Sequence, residues 1–280
     1  MMTSQLPENN EVQYRPAYYP TIKQAWWLMA VMMLMQIPAV IPSIGLKLAA
    51  EKLELPVLDM IGQTLAYVLA FGLTIWYAFG KRGSRTLSFA TVPAIVYPVA
   101  AIGMIALGLL AEPLVSTIPM PEKLNELLRE LFNKDMVITA VIAAPILEEV
   151  LFRGIIEDGF LKQYSPAKSI IWSAVIFGVI HMIPAQALNA CLLGLAFGWL
   201  YYRTRSLWLC MFLHFVNNSL SSLPLFFDDA LQMDVNTTRL WIGNDGLYMG
   251  LLAACAAICY GCYAYLNRIL PEGNNSRLPV

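Results

Sequence analysis

The sequence predicts an all-α protein: a polytopic membrane helix bundle of about eight transmembrane helices plus one short interfacial amphipathic helix. Three observations predict it. Hydrophobic residues make up 58% of the 280-residue chain and charged residues 13%, with a mean hydropathy of +0.60, whereas soluble domains hold roughly 45–50% apolar and about 25% charged residues. Apolar runs able to cross a bilayer, each needing about 20 residues of helix, recur along the chain. Trp26, Trp27, Trp76, Tyr77, Tyr201, Tyr202 and Trp208 stand near the ends of those runs, where the lipid–water interface favours amphipathic rings. The formal net charge of -1 excludes a polybasic nucleic-acid binder, and five cysteines are too few for a disulfide scaffold.

The elements follow in order. Residues 1–20 are polar, with Glu8, Asn9, Asn10 and Glu11, and lack the basic start and small-residue cleavage site of a signal peptide. Spans are expected near 25–44, 57–79, 91–111, 136–160, 167–183, 187–202, 207–227 and 246–266. Pro38, Pro42, Pro93, Pro98 and Pro145 fall inside them, where neighbouring helices can satisfy the freed carbonyls. Between the third and fourth spans, Leu124, Leu127, Leu128, Leu131 and Phe132 recur at i, i+3, i+4, i+7 and i+8 after Pro121. That is one apolar face of a helix with proline at its first position. It is too polar to span, and is expected at the membrane surface or packed on the mouth of the bundle. The chain then divides into an N-terminal segment (1–22), N-terminal spans with the interfacial helix (23–135), a core carrying the polar residues (136–227), and a last loop, span and tail (228–280). With the N-terminus inside, inner segments hold 11 Lys and Arg against 6 in outer loops, Arg153 excluded because it lies within a span. Both termini are therefore expected on the cytoplasmic side.

Ionisable groups inside a span are costly and mark function by default. Those placed deeply here are Glu148, Glu149, Arg153, His181, His214, Asn217 and Asn218, and the two histidines are the only ones in the chain. Successive helical residues turn about 100°, so Glu148 and Glu149 face different ways. Arg153 lies four after Glu149, the favourable order for an ion pair, which leaves Glu148 as an unpaired carboxylate. Phe177 and His181 share one face, with the Phe177 ring restricting the imidazole. His214 and Asn218 share another. If these faces converge, a carboxylate, two imidazoles and a carboxamide gather, a set that can activate water and stabilise an oxyanion. Asn189 and Asn217 fit interhelical hydrogen bonds, and Cys255, Cys259 and Cys262 fit a small-residue helix interface rather than a metal site. One conflict stands out. In straight spans Glu148 lies about 18 Å from the outer end of the fourth, at 1.5 Å per residue, while His181 lies only a few residues from the outer end of the fifth. Convergence needs the fourth helix to begin deeper, near Pro145, or the fifth to pass Pro184.

These motifs resemble a known family. Glu148-Glu149-Val150-Leu151-Phe152-Arg153-Gly154 is similar to the EExxxR motif of the CAAX prenyl protease and bacteriocin-processing family (CPBP, also called Abi). Phe177-Gly178-Val179-Ile180-His181 resembles its FxxxH motif, and His214-Phe215-Val216-Asn217-Asn218 its HxxxN motif. The turn at 198–208 is also similar, with Arg205 where glycine is common. The likeness covers about 144–220. It implies an intramembrane endopeptidase in which Glu148 and His181 hold and deprotonate the attacking water, His214 and Asn218 stabilise the oxyanion, and Glu149, Arg153 and Phe177 support the site. The implied partners are a membrane protein or hydrophobic peptide substrate and the lipid bilayer of a bacterial plasma membrane, with no nucleic acid.

The implied cofactor is open between two versions. Metal-free activation of water by Glu148 and His181 is preferred. Zinc held by Glu148, His181 and His214, with one open position, is the alternative. The HExxH, GxSxG and GxGD patterns of other protease classes are absent from the sequence. Two rival functions remain on the same residues: a non-catalytic scaffold or bacteriocin-immunity protein of this fold, and a proton-coupled transporter, which would call for matching broken helices in two halves.

Overall fold

A computed structural model describes residues 18–131, 134–227 and 235–272. Among the described residues four helices are long and apolar enough to cross a membrane: α1 (Ile22–Leu53), α2 (Val57–Arg82), α3 (Val96–Val115) and α9 (Asp245–Ile269). Only 11–28% of each one's apolar window is buried inside the protein, so most of that surface must face lipid. Their ends follow from local chemistry. Thr21 and Gln24 close a reciprocal capping box at the start of α1, and Gly83 takes the left-handed position that ends α2. The third span begins at Val96, later than the expected 91, because Pro93 precedes the helix and its carbonyl takes the Val96 N–H at 2.9 Å.

The helices carrying the polar residues are shorter or broken. In α5 (139–161) two π-helical stretches, Thr139–Ala143 and Val150–Glu157, flank the α-helical Ala144–Glu149. Pro145 accounts for the first. Its ring and missing N–H disrupt the α pattern before it, and the Ala144 N–H reaches back five residues to Thr139 O. After α5 come α6 (Pro166–Val179), α7 (Pro184–Thr204) and α8 (Leu207–Ser222). The expected span 167–183 is therefore too long: α6 stops at Val179. Met182 turns left-handed (φ 59°) and Ile183 is extended ahead of Pro184, as the residue before proline prefers. The expected 207–227 is likewise cut at Ser222, two residues before Pro224.

The early end of α6 bears on the depth conflict. With 14 residues, α6 is roughly 21 Å long at 1.5 Å per residue, less than the ~30 Å hydrocarbon thickness. Its last turn stops beside the middle of α5. Contact confirms the level: the Phe177 ring meets Phe152 of α5 edge-on at 5.0 Å. Gly178 permits the hairpin with α7, since a Cβ there would stand 2.6 Å from Ala187 O.

Two apolar cores flank the site. One joins Leu28 and Met32 of α1, Phe71 of α2, Phe152 and Ile156 of α5 and Phe177 of α6. The other joins Met104 of α3, Phe197 of α7, Leu213 of α8 and Leu266 of α9. On α9, Cys259 donates to Gly103 O at 3.4 Å and Cys262 packs against the same glycine, which fits the helix-interface reading of these cysteines. At one end of the bundle Asp158 gathers Arg82 (2.6 Å), Lys162 (2.8 Å) and Arg205 (3.1 Å). Arg205 holds the left-handed conformation (φ 53°) that favours glycine. Its side chain, not only its loop geometry, is thus used. Among the described residues extended pairing is limited to one isolated bridge, Phe89 with Ser206.

The amphipathic segment forms α4 (Glu122–Leu131). Pro121 is its N-cap rather than its first helical residue, because Pro121 O accepts from the N–H groups of Leu124 and Asn125. Leu124 packs beside Met120, Ile183 and Ala185, next to the turn that holds His181. The side chains of Leu127, Leu128 and Leu131, residue Phe132 and the polar segment up to residue 17 lie outside the described residues.

Candidate active site

Glu148 sits on the regular part of α5 and is buried. Its two oxygens have different surroundings. Tyr67 of α2 donates its hydroxyl proton to Oε1 at 2.5 Å. Oε2 is buried, has no hydrogen-bond partner in the protein, and lies 3.7 Å from Nε2 of His214. That gap is too wide for a direct hydrogen bond. Sequence spacing left Glu148 without a partner; the partner comes from another helix.

The Glu149–Arg153 pair expected from i,i+4 spacing is present, with Nη1 at 2.9 Å from Oε1 and both side chains fully buried. Two features complete it. The same Glu149 oxygen lies 2.8 Å from Nδ1 of His214, so the carboxylate accepts from Nδ1–H and Nε2 faces Glu148. Arg153 is clamped between the rings of Phe177 (4.6 Å) and Phe197 (5.3 Å), one from each core, and donates to Gly194 O. A planar cation suits a slot between two π faces. On its other edge Glu157 lies 4.0 Å from Arg153 Nε, fully buried, its oxygens without hydrogen-bond partners.

Phe177 is the hub. Its ring meets His181 at 5.1 Å and His214 at 5.8 Å, both edge-on. His181 lies 2.8 Å from Phe177 O through Nδ1. A carbonyl only accepts, so Nδ1 carries the proton and Nε2 of the neutral ring keeps its lone pair. Asn218, one turn beyond His214, donates Nδ2 to Ala140 O at 2.8 Å and accepts from Asn217 at 3.1 Å. In the π register Ala140 O would bond the N–H of residue 145, which is proline; Asn218 satisfies that carbonyl instead. Asn217 therefore bonds within its own helix rather than across an interface.

Glu148, Glu149, Arg153 and His214 are thus in one connected cluster, with His181 joined to it through Phe177 and Asn218 fixed one turn from His214. Sequence reasoning missed Tyr67, Phe197 and the Glu149–His214 bond. As for zinc, among the described residues no three His, Cys, Asp or Glu side chains stand close enough together to hold a metal ion. Glu148 and His214 present two donors to one gap, and the set Glu148, His181 and His214 is not assembled.

Residues 133–220 match the family model described as type II CAAX prenyl endopeptidase, Rce1-like. The chain is also similar to a Bacillus subtilis (strain 168) protein named "Putative membrane peptidase YdiL", with 34% identity over 114 residues. That stretch is 41% of this chain and 47% of the relative, so the chain spans about half the length of the curated protein it matches. No solved structure matches it. The matched stretch contains every residue of the cluster except Tyr67, in an all-α protein whose described residues include four apolar helices long enough to cross a bilayer. Over residues 133–220 the chain is thus similar to the type II CAAX prenyl endopeptidase, Rce1-like family.

Proposed function

We propose that this protein is an intramembrane endopeptidase that hydrolyses peptide bonds of membrane-associated or hydrophobic substrates. The observation that carries the reading is the buried, partnerless Oε2 of Glu148 facing His214 Nε2 at 3.7 Å. A water molecule in that gap gives one proton to Glu148, with the lone pair of His181 Nε2 helping to hold it. The oxygen attacks the scissile carbonyl carbon, and the carbonyl π pair moves onto oxygen. The oxyanion is met by His214 donating through Nε2–H and by the second N–H of Asn218. The C–N bond then breaks, and Glu148 returns the proton to the leaving amine. Glu149 orients His214, and Arg153, Phe177 and Phe197 hold Glu149 in register, the role a third group plays behind any catalytic base.

No step here passes through a metal. We place the protein in a bacterial plasma membrane with both termini cytoplasmic, a reading supported by Arg82, Lys162 and Arg205 gathering at one end of the bundle. The test uses purified protein in vesicles with a quenched hydrophobic peptide. Cleavage is expected, and single alanine substitutions at Glu148, His181, His214 and Asn218 should each abolish it. Full cleavage by Glu148→Ala, or solute uptake with no cleavage by the intact protein, contradicts the proposal.

A further inference from the structure

Tyr67 lies outside the stretch 133–220 that carries the family likeness, yet among the described residues it makes the one hydrogen bond that reaches Glu148 from another helix. We propose that Tyr67 is a positioning residue of the endopeptidase site, acting through Glu148; the inference rests on the function proposed above. Four observations carry it. The Tyr67–Glu148 distance of 2.5 Å lies in the charge-assisted O–H···O⁻ range. The bond engages only Oε1, and Oε2 is left buried and unpartnered opposite His214. The Tyr67 ring stacks on Phe71 at 4.7 Å and 26°, and Phe71 belongs to the core that also contains Phe152 and Phe177. Finally, Tyr67 continues a polar stripe on α2: Gln63 donates to Asp59 at 3.1 Å four residues earlier, and Thr64 bonds Thr139 of α5 at 2.7 Å. In an apolar span such groups are expensive unless they serve the facing helix.

The physical consequence concerns the choice of oxygen. A carboxylate bound at neither oxygen can rotate about its last torsion and present either one, or neither, to a water molecule. With Oε1 fixed by a phenol that is itself held by stacking, Oε2 is the oxygen that receives the proton. The substrate never needs to touch Tyr67.

The experiment compares Tyr67→Phe with the parent, in otherwise intact protein and in the Glu148→Asp background, with rates taken per folded molecule. Tyr67→Phe keeps the stacked ring and removes the hydroxyl. A hydrogen bond to a charged group carries about 1.5–3 kcal/mol, so kcat should fall roughly 10- to 150-fold while KM changes by less than about twofold. Glu148→Asp withdraws the carboxylate by one methylene, beyond the hydroxyl, so there Tyr67→Phe should change kcat by less than about twofold, the non-additivity of two residues acting as one. An unchanged kcat for Tyr67→Phe in the parent overturns the inference, and so does an equal loss in both backgrounds. If Glu148→Ala is inactive while Tyr67→Phe is fully active, only this inference fails; if Glu148→Ala still cleaves, the hydrolytic reading fails with it.

Discussion

Replacing Arg153 by methionine removes one charge from the centre of the protein and keeps most of the side-chain volume. In the folded state Arg153 is fully buried, paired with Glu149 at 2.9 Å and held between Phe177 and Phe197. Methionine leaves the carboxylate of Glu149 with only His214 as a partner, and Glu157 with no cation nearby within its helix. Breaking a buried ion pair in this way costs about 3–5 kcal/mol, because the remaining charge is stranded. For a protein of this size that is a fall of roughly 6–20 °C in melting temperature, a large share of the ~5–15 kcal/mol a folded domain holds. The assay is thermal unfolding of purified protein in detergent, followed by tryptophan fluorescence. The double variant Glu149→Gln/Arg153→Met removes the stranded charge as well and should recover more than half of the loss. A single variant melting within about 2 °C of the parent would refute the reasoning. Equal losses in the single and double variants would show that packing, not the orphaned carboxylate, sets the cost.

Three further outcomes follow from the geometry. A Cβ at Gly159 would lie 2.5 Å from Pro20 Cδ and 2.7 Å from Tyr19 O, and backbone cannot yield, so Gly159→Ala should undock residues 18–20, cost about 1–3 kcal/mol and speed proteolysis ahead of α1. Arg205 holds a left-handed backbone and an ion pair with Asp158. Arg205→Ala should therefore lower the melting temperature more than Arg205→Gly, since glycine removes the backbone strain while alanine keeps it; the reverse order would argue against strain there. Cleavage should persist in a strong chelator, because among the described residues no three His, Cys, Asp or Glu side chains stand close enough together to hold a metal ion. Loss of cleavage with recovery on zinc would mean that a third ligand closes in upon metal binding.

Parts of this architecture are legible in the chain alone because helical spacing encodes them. The i,i+4 relation places Arg153 against Glu149 and Phe177 against His181 whatever surrounds them. Other parts depend on which helices meet. Nothing in the apolar run of α2 distinguishes Tyr67 from other tyrosines in the spans until Glu148 is found opposite it. The Glu149–His214 bond likewise joins residues 65 apart in sequence. The true end of α6 was signalled by Pro184, yet Ile180, Met182 and Ile183 continue the apolar run past it, and hydropathy does not register a change of backbone direction. The π register of α5 is the subtlest case. Pro145 announces a disturbed helix, but that the freed Ala140 carbonyl is taken by Asn218 follows only once α8 lies alongside.

The most direct test of the proposed chemistry is the turnover of Glu148→Gln. Glutamine preserves the shape of the side chain and can still accept from Tyr67 through its carbonyl, but it cannot take a proton from water. With the melting temperature unchanged, kcat on a membrane-embedded peptide is predicted to drop by a factor of about 10²–10⁴, the usual contribution of a general base. A Glu148→Gln protein that keeps a tenth or more of the parental rate would contradict the account at its centre.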